Sequence, residues 1–138
     1  MQIQRDFYLQ QLIDGKQNGL IKIITGIRRC GKSYLLFTLF YQYLKNIGVT
    51  EDHIIKIALD DIESADLRAP LALYKYIKAK MVDDDLYYIL LDEVQLVARF
   101  EEVLNSLLRM DNADVYVTGS NSKFLSSDII TEFRGRGD

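Results

Sequence analysis

Residues 21–40, IKIITGIRRCGKSYLLFTLF, constrain the fold more than any other part of the chain. An apolar run of strand character breaks at Gly26, crosses a polar loop, and re-emerges after Lys32-Ser33 as a long apolar helix. Gly26-Ile27-Arg28-Arg29-Cys30-Gly31-Lys32-Ser33 fits the spacing G-x-x-x-x-G-K-[ST] between a strand and a helix. Gly26 and Gly31 allow backbone angles that a Cβ would penalise, so the loop can fold back around an anion. Successive main-chain N–H groups, with a helix N-terminus behind them, then point at a phosphate. Lys32 spreads its charge over the β- and γ-phosphates, and the Ser33 hydroxyl is a hard oxygen ligand for Mg2+. The candidate phosphate-binding set is Gly26, Ile27, Arg28, Arg29, Cys30, Gly31, Lys32, Ser33 and Tyr34. Arg28 and Arg29 touch phosphate, face a partner subunit, or are exposed loop arginines, the commoner case; Cys30 fills the loop.

Around this stretch, strands alternate with helices. A loosely helical segment, about 6–13, carries Phe7, Leu9, Leu12 and Ile13 and ends in the Gly15 and Gly19 region. The first strand is expected over 20–25, and a helix over about 32–46 stopped by Gly48. HIIKIALDD supplies a second strand, about 54–59, and Pro70 stands where a helix can begin. The DDD at 83–85 reads as a solvated turn, and LYYILLDE as a third strand buried on both faces. Phe100, Val103, Leu104, Leu107 and Leu108 mark an amphipathic helix, and DVYVTG a fourth strand. Phe124, Leu125, Ile129 and Phe133 mark a last helix. Such alternation implies right-handed crossovers and a mainly parallel sheet in an α/β layered domain.

A phosphate loop needs a partner carboxylate, and YYILLDEVQ supplies one at the end of an apolar strand. In a parallel sheet the carboxyl ends of neighbouring strands meet at one edge, where ligands bind. Asp92 is therefore expected near Ser33 as a metal-holding group, and Glu93 as the base that orients and deprotonates an attacking water. The Asp-Glu doublet favours water over a small-molecule acceptor. At the end of the fourth strand Asn121 is the candidate γ-phosphate sensor, with Ser120 and Thr118 as rivals; capping of the next helix is its ordinary alternative. Arg134 or Arg136 is a candidate arginine finger in cis or in trans, or part of a basic tail. The proposed catalytic set is thus Lys32, Glu93, Asn121 and Arg134, with Ser33 and Asp92 on the metal. His53 has no evident metal-type partner and is assigned no role.

Composition removes several classes. The balance of 17 Lys+Arg against 20 Asp+Glu argues against a wholly basic nucleic-acid-binding surface, while leaving local basic patches open. One cysteine permits no internal disulfide, which fits a reducing cytoplasmic setting. The polar N-terminal segment carries no signal h-region, and no apolar run approaches the ~20 residues of a membrane span.

ITGIRRCGKSYLL, YYILLDEVQ and VTGSNSKFLSSDIITEFRGR together resemble the AAA-type prokaryotic P-loop ATPases found upstream of an uncharacterised C-terminal domain. The resemblance runs from about Arg5 to Gly137. It implies a P-loop NTPase three-layer sandwich over residues 1–138, with strand order 1-4-3-2 and a fifth strand missing because family members continue further. It also implies ATP, since no guanine-reading N-K-x-D occurs, and matches Gln95 to a family position without assigning it a role. An N-terminal fragment is therefore expected, with the first strand's outer edge and the apolar helix partly uncovered. Self-association through that edge, and a DNA or protein partner through the absent region, are the expected partners besides ATP and Mg2+; no membrane partner is expected. A regulatory or assembly module with little hydrolysis, or a small-molecule P-loop kinase, are the competing functions.

Overall fold

The structure, a computed structural model, describes residues 2–25, 29–119 and 130–133. Four strands alternate with helices as the periodicities predict: β1 (Ile21–Ile24), β2 (Ile54–Ala58), β3 (Tyr87–Asp92) and β4 (Ala113–Thr118). They pair in parallel in the order β1-β4-β3-β2, the expected order. β4 therefore lies between the strand that precedes residues 26–33 and the strand that ends in Asp92. The register sets Ile24 opposite Thr118 and Leu91 opposite Val117, so all three strands end at one pole of the sheet.

Helices cover both faces. α1 (Gln2–Asp14) lies on one face together with a continuous helical rod made of α2 (Arg29–Tyr34), a π-helical segment (Leu35–Phe40) and α3 (Tyr41–Asn46). α4 (Pro70–Lys80) and α5 (Phe100–Leu108) lie on the other. Pro70 opens α4 at its first turn, where a missing N–H costs nothing. Strand alternation feeds both cores: Tyr88, Leu90 and Tyr116 face α1 and the rod, whereas Ile89, Leu91, Val115 and Val117 face α4 and α5. All six residues of β3 are buried in consequence.

The rod's π-helical segment was not predicted. Its signature is the Tyr41 N–H reaching the Leu36 carbonyl, five residues back. That wider turn brings Leu35 and Phe40, five apart, to the same buried face, and Leu36 and Leu44 join them. Gly48 ends the rod at φ 99°, a conformation that favours glycine.

Two expectations are corrected. The outer edge of β1 is occupied: β5 (Ile130–Phe133) pairs with it antiparallel, Ile21 opposite Phe133 and Ile24 opposite Ile130. Among the described residues the sheet thus has five strands, four parallel and β5 antiparallel at the edge of β1. Phe133 belongs to β5 and not to a helix, while Phe124, Leu125 and Ile129 lie outside the described residues. The reason is local and tertiary together: Ile130, Thr131 and Phe133 favour extended backbone, and β1 offers a row of otherwise unpaired edge groups. The apolar rod is partly uncovered, as expected: Leu35, Leu36, Phe40 and Leu44 are buried with Leu12 of α1 and Tyr116, whereas Phe37, Leu39 and Tyr43 are only half-buried. Among the described residues no helix is long and apolar enough to cross a membrane.

Candidate active site at the carboxyl pole of the sheet

Three elements converge where β1, β3 and β4 end. From the loop side come Gly31, Lys32, Ser33 and Tyr34 of α2. Lys32 is almost fully buried, and its Nζ donates to the Gly119 carbonyl at 3.0 Å. Its carboxylate partner, Glu93 Oε2, stands 3.9 Å away, beyond hydrogen-bond distance. The ammonium is therefore held by a neutral carbonyl and only loosely matched by negative charge. A buried cation in that condition suits an anionic guest.

Ser33 and Asp92 meet directly. Ser33 Oγ donates to Asp92 Oδ2 at 2.7 Å, across 59 residues of chain. Thr118 Oγ1 donates to the other oxygen, Oδ1, at 2.5 Å. Short O–H···O contacts of this kind are typical of an ionised acceptor. Both carboxylate oxygens thus have hydroxyl partners from two other elements, and Asp92 is 4% exposed. Burial pushes the Asp92 carboxyl above its ordinary value, the Thr118 and Ser33 hydroxyls pull it back, and the neighbouring Glu93 charge pushes it up again. With its O–H donated in a hydrogen bond to Asp92, the Ser33 oxygen keeps lone pairs free for a hard cation. This donor set fits Mg2+.

Glu93 leaves the strand in the left-handed conformation, φ 58° and ψ 50°. A side chain there costs about 1–2 kcal/mol, so something must hold it. Its N–H donates to Thr118 Oγ1 at 2.8 Å, and its carboxylate Oε1 accepts from Gln95 Nε2 at 2.7 Å. The turn that follows (Val94–Leu96) is anchored by the fully buried Val94.

Thr118 entered the sequence reading as a rival to Asn121 for the γ-phosphate; the structure gives it another task, joining Asp92 to Glu93. Thr118→Val keeps the shape but strands the Glu93 N–H and one Asp92 oxygen. The expected cost is about 1–3 kcal/mol, read from the midpoint of urea unfolding. The pH dependence has a sign. A buried carboxyl with a raised folded-state value destabilises the fold when ionised, and the variant loses a donor to that ionised form. Its deficit should be largest near neutral pH and shrink as pH falls through the raised Asp92 value. A pH-independent deficit would contradict this account.

The remaining predicted residues distribute as follows. Arg29 and Cys30 lie in α2. Tyr34 ends that helix 41% exposed, which makes it a rim residue. Gly26, Ile27, Arg28, Ser120, Asn121, Arg134 and Arg136 lie outside the described residues. His53, expected to have no metal-type partner, has two: ligand atoms of His53, Asp83 and Asp85 lie within 4.8 Å of one another. His53 Nε2 is 3.2 Å from Asp83, a contact that ties the start of β2 to the turn before β3.

A polar cluster at the opposite pole was missed. Lys22, fully buried, pairs with Asp114 at 2.8 Å, and Asp114 also accepts from Tyr116 Oη at 2.7 Å and from the Gln17 N–H at 2.9 Å. Its signal was present: a lysine inside the apolar run IKII, and an aspartate opening DVYVT.

Residues 18–138 match the sequence model of a family described as AAA domain. An uncharacterised protein of Haemophilus influenzae is 35% identical over 135 residues, covering 97% of this chain and 34% of its own length. An uncharacterised protein of Methanocaldococcus jannaschii is 32% identical over 138 residues, covering 97% of this chain and 27% of its own length. The chain thus spans about a third or less of the curated relatives it matches. No solved structure gives a significant match.

Proposed function

The chain belongs to the AAA domain family, and from that premise and the site geometry we propose that it binds Mg–ATP and hydrolyses it with water as acceptor. The observation that carries this reading is the convergence of Ser33, Asp92 and Thr118 beside the buried Lys32, from three separate elements. Lys32 exchanges the Gly119 carbonyl for phosphate oxygens and offsets part of the triphosphate charge. Ser33 and Asp92 would hold the cation. Mg2+ when bound supplies positive charge against the β- and γ-phosphates. Glu93, its carboxylate one residue beyond Asp92, accepts the proton of the attacking water. Gly26, Ile27, Arg28, Asn121 and Arg134 complete the proposed set by their sequence positions, the first three on phosphate, Asn121 as sensor and Arg134 as finger.

Calorimetric titration with Mg–ATP, followed by phosphate release, tests the reading. Heat of binding is expected, and Lys32→Ala should weaken it about 10- to 100-fold, the worth of one charge-assisted contact. Absence of heat at millimolar Mg–ATP, or unchanged affinity in Lys32→Ala, would sink it. Binding without phosphate release would remove the hydrolytic half alone.

A further inference from the structure

The Gln95 carboxamide is only half satisfied. Its Nε2 donates to Glu93 Oε1 at 2.7 Å, yet its own Oε1 is buried and has no hydrogen-bond partner among the described residues. A buried amide oxygen without a donor is unfavourable, so the orientation of this carboxamide needs a cause. The cause is Glu93: turning the amide over would set oxygen against carboxylate oxygen. The backbone prepares the contact. The Leu96 N–H donates to the Glu93 carbonyl at 3.1 Å and the Val97 N–H to the Val94 carbonyl at 3.0 Å, while Val94 and Val97 are buried. Gln95 is thereby carried on a fixed turn and reaches back two residues to the carboxylate.

We propose that Gln95 is a positioning residue that fixes the Glu93 carboxylate, occupying Oε1 and leaving Oε2 as the oxygen that receives the proton. The proposal rests on the hydrolytic reading of the site. Oε2 is the oxygen that faces Lys32, at 3.9 Å, and so the side where the terminal phosphate would lie. In the step itself, the water oxygen bonds to the γ-phosphorus and the bond from that phosphorus to the bridging oxygen breaks. The electron pair leaves with ADP, and the water proton passes to Glu93 Oε2. Gln95 acts through Glu93: without its N–H the carboxylate can swing about its own bonds, and misplacement of about 1 Å can cost up to 100-fold in rate.

The test pairs kinetics with a measurement that needs no turnover. In Gln95→Leu, kcat should fall about 10-fold or more while the Mg–ATP dissociation constant stays within about twofold. Combined with Glu93→Gln, the Leu substitution should cost nothing further, because the group it positions is gone. A merely structural role would add its loss to that of Glu93→Gln. Independently, the side-chain N–H proton of Gln95 that meets Glu93 should be shifted downfield and protected from solvent exchange by NMR in the wild type, and should move upfield and exchange faster in Glu93→Ala. An undiminished kcat in Gln95→Leu, additive losses, or Gln95 signals indifferent to Glu93→Ala would each overturn the proposal. If the wild type binds Mg–ATP but releases no phosphate, the hydrolytic reading fails, and the amide signals still decide whether Gln95 holds Glu93.

Discussion

Glu93→Gln is expected to leave Mg–ATP bound while slowing phosphate release about 100- to 10,000-fold, the usual contribution of a positioned general base. The two halves of that expectation come from different contacts. In the proposed site binding falls to Lys32, Ser33 and Asp92, whose contacts with Gly119 and with one another do not involve the Glu93 side chain. Removing the charge 3.9 Å from Lys32 also removes a competitor for the ammonium, so affinity should hold or improve. Turnover loses the proton acceptor. The glutamine is nearly isosteric, and the Glu93 N–H to Thr118 Oγ1 bond is main-chain in origin, so the left-handed turn should persist. Parallel measurement of the dissociation constant and of steady-state phosphate release separates the effects. Equal loss of both would show that Glu93 shapes the binding site and is not the base.

The parts of this site that were legible in the sequence are those whose chemistry is written in adjacent residues. Gly31, Lys32 and Ser33 stand between a strand and a helix, and Asp92-Glu93 closes an apolar strand, so each half could be read locally. That Asp92 lies near Ser33 followed from the parallel sheet, and the structure joins them by a direct hydrogen bond. The placement of β4 between β1 and β3 came from family resemblance, because periodicity says nothing of strand order. What stayed hidden depends on pairings across long separations. Thr118 had no visible reason to serve Asp92, 26 residues away, until β4 was set beside β3. β5 was hidden by a coincidence of spacing: Ile129 and Phe133 are four apart and mimic a helix face, while the edge of β1 that recruits the strand is invisible locally. Lys22 was passed over because one charged residue in a short strand normally points to solvent; here it meets Asp114, 92 residues on.

That pair carries the second large effect. Asp114→Ala should cost about 3–5 kcal/mol of folding stability, the penalty for leaving a buried charge without its partner. Lys22 is fully buried; it donates to Asp114 at 2.8 Å and to the Leu20 carbonyl at 2.7 Å, and lies over the Tyr116 ring at 4.7 Å. Burial pushes the Tyr116 hydroxyl well above its ordinary value, so it remains a neutral donor to Asp114. The pair bridges β1 to β4 at the end of the sheet remote from Lys32, and the same two strands lead to residues 26–33 and to Thr118 at the other end. Registration at one pole therefore fixes geometry at the other. Urea unfolding measures the loss, and the double variant Lys22→Met, Asp114→Leu discriminates its origin. If the cost comes from uncompensated charge, the double variant should recover most of the stability lost by either single change, since apolar replacement of a buried pair is often neutral. Additive losses would mean that the pair itself, with its bonds to Gln17 and Tyr116, holds β1 and β4 in register.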